Sequence, residues 1–232
     1  MLKRAKKKVA IFDIDGTIFR NSLLIELHWQ LIKAGVFPKS DLKKIDSYYW
    51  AWVNRKGTYQ DYLDRVIESF DRGIAGKAVS VIRLAAADVV KRQKNIVYRF
   101  TRDLIAKVRK DHILVAISGS PIEIVKEFNR YWKFDYIVAG IKEVKNGFYT
   151  GKTLVMPPLD KKGALLTLFQ KQHILFRSSL GVGDSEADAG IFEVVQRPIC
   201  FNPTLKLYTM AQKHGWEVVV ERKNVIYELK HK

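Results

Sequence analysis

The stretch that decides the fold is FDIDGT, at residues 12–17. An apolar run from Val9 to Phe12 leads into it, and because this run is short and rich in β-formers it predicts a buried strand that ends in carboxylates. Alternation along an extended chain puts Asp13 and Asp15 on the same side, and Gly16 permits a sharp turn after them. The two carboxylates can therefore converge on one ligand, whereas in an isolated Asp-x-Asp they would only end the strand and cap the next element.

Beyond Thr101 the sequence alternates between strand and helix patterns. Apolar, β-rich runs predict strands at residues 113–117, 136–139, 179–182, 199–201 and 217–220. Helical periodicity lies between them, and Asn146-Gly147 predicts the turn of a hairpin. This alternation indicates an α/β fold with a Rossmann-like, doubly wound and mostly parallel sheet that has helices on both faces.

The block between residues 21 and 99 differs from the rest, because only helical patterns occur in it. Leucines recur every three or four residues from Leu23 to Leu31, and further helical stretches follow. We therefore predict an inserted helical cap domain at residues 21–99. The α/β catalytic core would then consist of residues 1–20 and 100–232.

The segment Ser118-Gly119-Ser120-Pro121 lies where a predicted strand meets a predicted helix. Ser120 is expected to be the N-cap residue of that helix, with Pro121 at its first position. Helix N-termini and glycine turns present N–H groups to anions, so Ser118 and Gly119 are candidates for binding one. A serine in such a loop more often bonds its own backbone, so this motif gains meaning only beside the others.

Two further motifs bring charged side chains to predicted strand and helix ends. Lys161 and Lys162 stand at the start of a helix, where a lysine can act as a fixed positive charge for a phosphoryl group, although most such pairs face solvent. Asp184 ends an apolar strand, and Asp188 lies one helical turn later. A hard oxygen ligand such as Asp184 suits Mg²⁺, which prefers a few carboxylates together with water and phosphate.

These four motifs, in this order, resemble those of the haloacid dehalogenase-like (HAD) superfamily of hydrolases. The helical insertion after the first motif is similar to that of the phosphoserine phosphatase-like branch, subfamily IB. The resemblance covers nearly the whole chain and implies a Mg²⁺-dependent phosphatase that hydrolyses a phosphomonoester through an aspartyl-phosphate intermediate. Relatives that dehalogenate or drive ion transport lack an aspartate at the position of Asp15, which favours phosphoester hydrolysis.

The resemblance also implies a role for each matching residue. Asp13 is the implied nucleophile, and Asp15 is the implied general acid and base. Lys162 is implied to stabilise the transferring phosphoryl group, and it is preferred to Lys161 because it directly precedes a glycine, as in relatives. The implied phosphate ligands are Ser118, the backbone N–H of Gly119 and Lys162. The implied ligands of Mg²⁺ are Asp13, Asp184 and the backbone carbonyl of Asp15, with Asp188 positioning the lysine or a metal-bound water.

In the cap the resemblance is weaker. Phosphoserine phosphatases carry a glutamate shortly after the first motif to recognise the substrate amine, and the corresponding position here is Ser22. Arg65 is a candidate contact for an anionic part of the substrate, but an arginine on a cap helix is more often an exposed charge. Phosphoserine specificity therefore does not follow from the sequence.

A dense aromatic group also falls within the predicted cap, at Tyr48, Tyr49, Trp50 and Trp52. Such a group can line a pocket or contact lipid. Packing among the cap helices is the favoured interpretation, since aromatic side chains bury large areas against one another.

The composition limits which cellular compartment and which classes of binding partner are expected. Lysine and arginine exceed aspartate and glutamate by 17 (41 against 24), so the chain attracts anions such as phosphate metabolites, nucleic acid or an acidic membrane. No apolar run approaches the roughly 18 residues needed to cross a bilayer, and the lone Cys200 cannot form an intramolecular disulfide. We expect a cytoplasmic protein whose substrate is a small-molecule or lipid-linked phosphate. Weak association with an acidic membrane is compatible with its charge, and no dedicated nucleic-acid partner is expected.

Two alternatives stay open at this point. The chain could transfer the phosphoryl group to an alcohol through the same intermediate. It could also be a basic protein that binds nucleic acid or a membrane surface on a phosphatase fold. The lack of an RNA-binding signature and of a concentrated basic helix counts against this second alternative.

Overall fold

The computed structural model describes residues 8–174 and 178–229. The strands in these ranges are β1 (Lys8–Asp13), β2 (His112–Pro121), β3 (Tyr136–Lys145), β4 (Phe148–Val155), β5 (Leu180–Gly183), β6 (Arg197–Phe201), β7 (Glu217–Arg222) and β8 (Val225–Leu229). They form one sheet in the order β4-β3-β2-β1-β5-β6-β7-β8. Pairing is parallel from β3 across to β7, and antiparallel only for the two edge strands β4 and β8.

The helices in the described ranges are α1 (Leu23–Lys33), α2 (Leu42–Val53), α3 (Tyr59–Ile74), α4 (Val79–Gln93), α5 (Arg99–Val108), α6 (Ile122–Trp132), α7 (Lys161–Gln172), α8 (Ala189–Phe192) and α9 (Leu205–His214). The first five lie between β1 and β2, and the others alternate with strands. The predicted fold class, a mostly parallel doubly wound sheet with an inserted helical cap, is confirmed. No helix among the described residues is both long and apolar enough to span a bilayer.

The sheet is buried on both faces, as the apolar run of β1 predicts. Ala10 and Phe12 pack into one core layer, which also holds side chains of α1, α4 and α6. Val9 and Ile11 point to the opposite face and pack with side chains of α7, α8 and α9. Because alternate residues of one strand supply both layers, β1 lies at the centre of the hydrophobic core.

The predicted hairpin turn is also confirmed, and it follows from two residues. Asn146 and Gly147 connect β3 to β4 with φ angles of 51° and 82°. A two-residue hairpin turn of the type that matches strand twist needs positive φ at both positions, which asparagine and glycine adopt most readily.

Besides the packing of α1 and α4 on the sheet and α6, backbone-to-backbone hydrogen bonds among the described residues join the cap to the rest of the protein at two places. Where the chain leaves and re-enters the sheet, the N–H of Arg20 donates to the carbonyl of Ile96 (3.0 Å), and that of Tyr98 donates to Ile18 (3.0 Å). We propose this paired segment, which we call the neck, as the physical basis of cap boundaries near residues 21 and 99. The second attachment is to the hairpin.

Backbone hydrogen bonds join the hairpin to the loop between α3 and α4. The N–H of Gly76 donates to the carbonyl of Tyr149 (2.8 Å), and that of Val79 donates to Gly147 (2.9 Å). Lys142 of β3 adds an ion pair with Asp71 of α3 (2.6 Å). The hairpin therefore belongs to the sheet, and it also forms backbone hydrogen bonds to the cap.

Candidate active site

The carboxyl ends of β1, β2 and β5 meet at one edge of the sheet, where acidic side chains collect. Asp13 is the last residue of β1 and is buried. Gly16 follows with a φ of +80°, and a Cβ atom on it would overlap the carboxylate of Asp184. Both the backbone conformation and the lack of space thus exclude a side chain at position 16, and this lets the loop after β1 reach the end of β5.

Lys161 is the positive charge of this edge. It is buried, and its Nζ donates to Oδ1 of Asp13 (2.6 Å) and to Oδ1 of Asp188 (2.6 Å). Its position is fixed by the N-terminus of α7, where Asp160 caps the helix by accepting from the N–H of Gly163 (2.7 Å). The ammonium group therefore holds the first and the last of the predicted aspartates together.

The choice of Lys162 over Lys161 requires correction. Lys162 is the second residue of α7, half exposed, and its Nζ pairs with Glu193 (2.8 Å) on the surface. Consecutive residues of a helix point about 100° apart, so only one of the two lysines can face the carboxylates. In this helix it is Lys161.

Asp188 organises the loop after β5. Its Oδ2 accepts from the N–H groups of Asp184 (2.9 Å) and Ser185 (3.0 Å), while Oδ1 accepts from Lys161. Because both of its oxygens are used and it is fully buried, Asp188 orients its neighbours. This contact with the lysine agrees with the positioning role that the sequence implied for Asp188.

Asp15 is held on both of its oxygens. Oδ1 accepts from the N–H of Leu23 at the start of α1 (2.6 Å), and Oδ2 accepts from the hydroxyls of Ser118 (2.6 Å) and Ser120 (2.9 Å). Gly119 lies between these serines, and a Cβ atom on it would meet Pro158 at 2.6 Å. The carboxylate of Asp15 thus links the end of β1, the end of β2 and the cap.

Ser120 is a site residue that the sequence analysis missed. It was expected to cap α6, but the N-cap residue is Pro121, which makes no side-chain cap hydrogen bond. The Ser120 hydroxyl instead donates to Asp15 and accepts from the N–H of Leu24 (2.9 Å). Sequence spacing gave no signal of this, because the partners are about a hundred residues away along the chain.

Burial and charge act in opposite directions on these groups. Burial raises the pKa of Asp13, while the neighbouring Lys161 lowers it. For Asp184, burial and then the charges of Asp13 and Asp188 raise the pKa well above its ordinary value. Burial alone would lower the pKa of Lys161, but Asp13 and Asp188 outweigh that effect and raise it. The lysine therefore stays charged among an excess of carboxylates.

Burial also raises the pKa of Asp15. The hydrogen bonds from Ser118, Leu23 and Ser120 act against that shift because they favour the ionised form, but they do not cancel it. A carboxyl group with a raised pKa holds its proton closer to neutral pH, which suits a group that donates a proton in one step and accepts one in another.

The same carboxylates fit a divalent cation. Oxygens of Asp13, Asp184 and Asp188 lie within 4.8 Å of one another. Oδ2 of Asp13 is buried and, within the described ranges, has no hydrogen-bond partner. Hard carboxylate oxygens and uncompensated negative charge are what Mg²⁺ requires. The donor set therefore suits this ion.

Of the two cap candidates, Ser22 lies next to the site and Arg65 does not contact it. Ser22 is buried and caps α1 by accepting from the N–H of Ile25 (3.4 Å), immediately before Leu23 contacts Asp15. Arg65 bonds both carboxylate oxygens of Glu68 (2.7 Å each) and lies over another ring of the cap, that of Tyr48 (5.1 Å). The contacts described for Arg65 are all within the cap.

Tyr59 is a second side chain near the site that the sequence analysis missed. It is the first residue of α3, and its ring packs on Trp52 (5.1 Å between centroids). Burial raises the pKa of Tyr59, and the charges of Asp15 and Asp184 raise it further, so its phenol lies within electrostatic reach of both carboxylates. The cap therefore brings an aromatic hydroxyl close enough to the acidic edge of the sheet for the charges of Asp15 and Asp184 to affect it.

Comparison with known families and structures agrees with this arrangement. The family model described as haloacid dehalogenase-like hydrolase matches residues 10–193, which include every acidic residue of the site. Among curated proteins, no sequence is similar enough to count as a relative.

Solved structures show the same fold at low sequence identity. A Bordetella pertussis Tohama I protein of unknown function matches with a TM-score of 0.71 and 16% identity, over 92% of this chain and 98% of that one. A phosphoserine phosphatase with an analogue of the phospho-aspartyl intermediate matches with a TM-score of 0.61 and 19% identity, over 95% and 96%. An apo phosphoserine phosphatase matches with a TM-score of 0.60 and 20% identity, over 94% and 95%. The predicted likeness to the phosphoserine phosphatase-like branch is thus confirmed at the level of the fold.

Proposed function

The chain belongs to the haloacid dehalogenase-like hydrolase family, and from this premise we propose that it hydrolyses a phosphomonoester through an aspartyl-phosphate on Asp13. One observation carries the proposal. Lys161 fixes Oδ1 of Asp13 and leaves the buried Oδ2 without a hydrogen-bond partner in the described part of the chain. A carboxylate held on one oxygen and open on the other is prepared for attack by the second oxygen.

The first step forms a bond between Oδ2 of Asp13 and phosphorus, while the bond from phosphorus to the leaving oxygen breaks. Asp15 gives its proton to that oxygen, so the alcohol leaves neutral. In the second step Asp15 takes a proton from water, the water oxygen attacks phosphorus, and the bond to Asp13 breaks. Inorganic phosphate is released and Asp13 is restored.

The phosphoryl group needs positive charge and N–H donors around its oxygens. We assign this role to Lys161 in place of Lys162, together with the hydroxyl of Ser118 and the N–H of Gly119. Ser118 donates to Asp15 (2.6 Å), so its hydroxyl would be free to turn towards the phosphoryl group while Asp15 carries its proton, and it would donate to Asp15 again once that carboxyl is ionised. This exchange ties phosphate binding to the acid–base step.

We also propose that Asp13, Asp184 and the backbone carbonyl of Asp15 hold Mg²⁺. When bound, this ion supplies the positive charge that allows an anionic ester to approach an anionic carboxylate. The proposal is supported by the mutual distances of the carboxylate oxygens and by the pKa of Asp184, which burial and its acidic neighbours raise when no cation is present.

Phosphoserine is not the substrate that we propose. Ser22 has no charge to pair with a substrate amine, and Arg65 is bonded to Glu68 within the cap. The leaving group would instead meet Tyr59 of the cap. We place the reaction in the cytoplasm, because the unpaired and buried Cys200 suits a reducing compartment.

The experiment is release of inorganic phosphate from an aryl phosphate by wild type and by Asp13→Asn, each with Mg²⁺ and with a chelator. We expect release that requires Mg²⁺ and disappears in the variant. Phosphate release that survives in Asp13→Asn would exclude Asp13 as the nucleophile. Adding a second alcohol and analysing the products distinguishes hydrolysis from phosphoryl transfer.

A further inference from the structure

The outer face of α2 carries apolar side chains that no packing explains. Lys43, Ser47 and Trp50 are spaced three to four residues apart, which places them on one side of the helix. Trp50 is 57% exposed, and Val53 in the next turn is 42% exposed. We refer to the side made by Lys43, Asp46, Ser47, Trp50 and Val53, with Lys44 beside it, as the outer face of α2; Asp46 is its one acidic residue.

Packing among cap helices accounts for the other aromatic residues but not for Trp50. The rings of Tyr49, Trp52 and Tyr62 contact one another, with centroids 5.4 to 6.0 Å apart. Trp50 touches only the edge of this group, through Tyr49 (5.3 Å). Trp50 and Val53 thus form a small exposed apolar patch, which lies next to the lysines of the same face.

The two lysines of this face are also not explained by helix stability. Lys43 and Lys44 lie in the first turn of α2, where the positive end of the helix dipole disfavours cations, and this turn contains no acidic residue. Arg55 and Lys56, by contrast, follow the end of the helix, where the dipole favours them. Within residues 8–174 and 178–229, neither Lys43 nor Lys44 forms an ion pair with a carboxylate, so their charge is available to an external anion.

We propose that the outer face of α2 binds the surface of an anionic lipid bilayer. Tryptophan prefers the boundary between headgroups and acyl chains, and lysine side chains reach from there to anionic headgroups. Nucleic acid fits this face less well. The cap rings that could stack on bases already pack against one another, leaving a single exposed indole beside an aliphatic residue.

The cap that carries this surface also carries Tyr59. Tyr59 follows the loop after α2, packs on Trp52, and is within electrostatic reach of Asp15 and Asp184. A cap docked through α2 would keep the protein at a surface that contains lipid phosphates. If the proposed phosphatase function is correct, its substrate class would be a lipid phosphomonoester presented by the bilayer.

The test measures binding without catalysis. Wild-type protein is sedimented with vesicles of equimolar phosphatidylglycerol and phosphatidylcholine, and with vesicles of phosphatidylcholine alone. We expect binding to the anionic vesicles only, and a loss of about ten-fold or more in Trp50→Ser/Val53→Ser. Leu84→Ser is the matched control, because Leu84 lies on another cap helix and is 72% exposed.

A second pair of variants tests the charge. Lys43→Gln/Lys44→Gln should weaken binding to anionic vesicles, whereas Lys107→Gln/Lys110→Gln, which removes the same charge at the end of α5, should not. The α2 lysine variant should fold at least as well as wild type, because it removes cations that the helix dipole disfavours; thermal unfolding checks this.

Three results would overturn the proposal. One is wild-type protein that does not bind anionic vesicles, and another is equal binding by the α2 variants and their controls. The third is unchanged vesicle binding in the α2 variants with loss of binding to a single-stranded oligonucleotide, which would assign the face to nucleic acid. Since none of these measurements depends on turnover, failure of the membrane proposal is distinguishable from failure of the phosphatase proposal.

Discussion

The acidic edge of the sheet and the cap are held together by different kinds of contact. At the sheet edge, Asp13, Asp15, Asp188 and Lys161 are fixed by short hydrogen bonds between segments far apart in sequence. In the cap, aromatic rings meet mostly edge to face, and the described contacts of Arg65 stay within the cap. The comparison therefore contrasts an acidic site fixed by polar contacts over long sequence separations with a cap held mainly by aromatic packing.

Among the variants that test this comparison, we expect the largest loss of activity from substitution of Lys161, with Lys162 as its control. Lys161→Met should lower kcat by about 10²–10³, because it removes the charge that supports the transferring phosphoryl group. Lys162→Met should stay within about two-fold of wild type, since its partner Glu193 is on the surface. Steady-state kinetics on an aryl phosphate measure both. If both variants lost activity to a similar extent, the assignment of phosphoryl-group stabilisation to Lys161 alone would be wrong.

A smaller effect concerns the excess negative charge of the sheet edge. The pKa of Asp184 is raised in the folded state, so its ionisation opposes folding, and stability without metal should fall as pH rises above the ordinary aspartate range. At neutral pH, Asp184→Asn should therefore be more stable than wild type without metal, by about 1 kcal/mol. That gain corresponds to a rise of about 2–4 °C in Tm.

The same variant tests the metal site. Mg²⁺ should raise the Tm of wild type and have little effect on Asp184→Asn, because a bound ligand stabilises only the protein that binds it. Thermal unfolding with Mg²⁺ and with a chelator measures this difference. A variant that is less stable than wild type without metal, yet gains equally from Mg²⁺, would remove Asp184 from the ligand set.

The smallest effect is expected in the cap, where Tyr59→Phe removes one hydroxyl and keeps the ring. We expect KM to rise about three-fold with kcat little changed, since one neutral hydrogen bond to the leaving group contributes little net energy. Tyr131→Phe is the control, because Tyr131 is exposed on α6. A fall in kcat with KM unchanged would instead indicate that Tyr59 acts in the chemical step and not in substrate binding.

Sequence reasoning was sufficient for the features that depend on local pattern. Strand ends marked by Asp13, Ser118 and Asp184 predicted the sheet edge, because parallel strands align their carboxyl ends. The hairpin at Asn146-Gly147 followed from the φ angles that its turn needs. These elements are encoded by neighbouring residues, so one sequence suffices to find them.

The features that it missed depend on orientation or on distant contacts. Lys161 and Lys162 differ by one position at a helix start, and the facing side is decided only when α7 packs on the sheet. Ser120 bonds partners about a hundred residues away. The i, i+3 spacing of Arg65 and Glu68 is a local pattern that the sequence analysis did not use, and the structure pairs the two residues.

The two attachments of the cap have a mechanical consequence. Because the hairpin is bonded to the loop between α3 and α4, a movement of that part of the cap relative to the sheet would also pull on β3. That strand passes close to the phosphate-binding turn, where a Cβ atom on Gly140 would lie 3.0 Å from the carbonyl oxygen of Gly119. The pairing of β2 with β3 shifts register between Ile117 and Pro121, so the sheet can yield at this point. If phosphate binds at this turn as we propose, movement of the cap and release of phosphate would be mechanically coupled through β3.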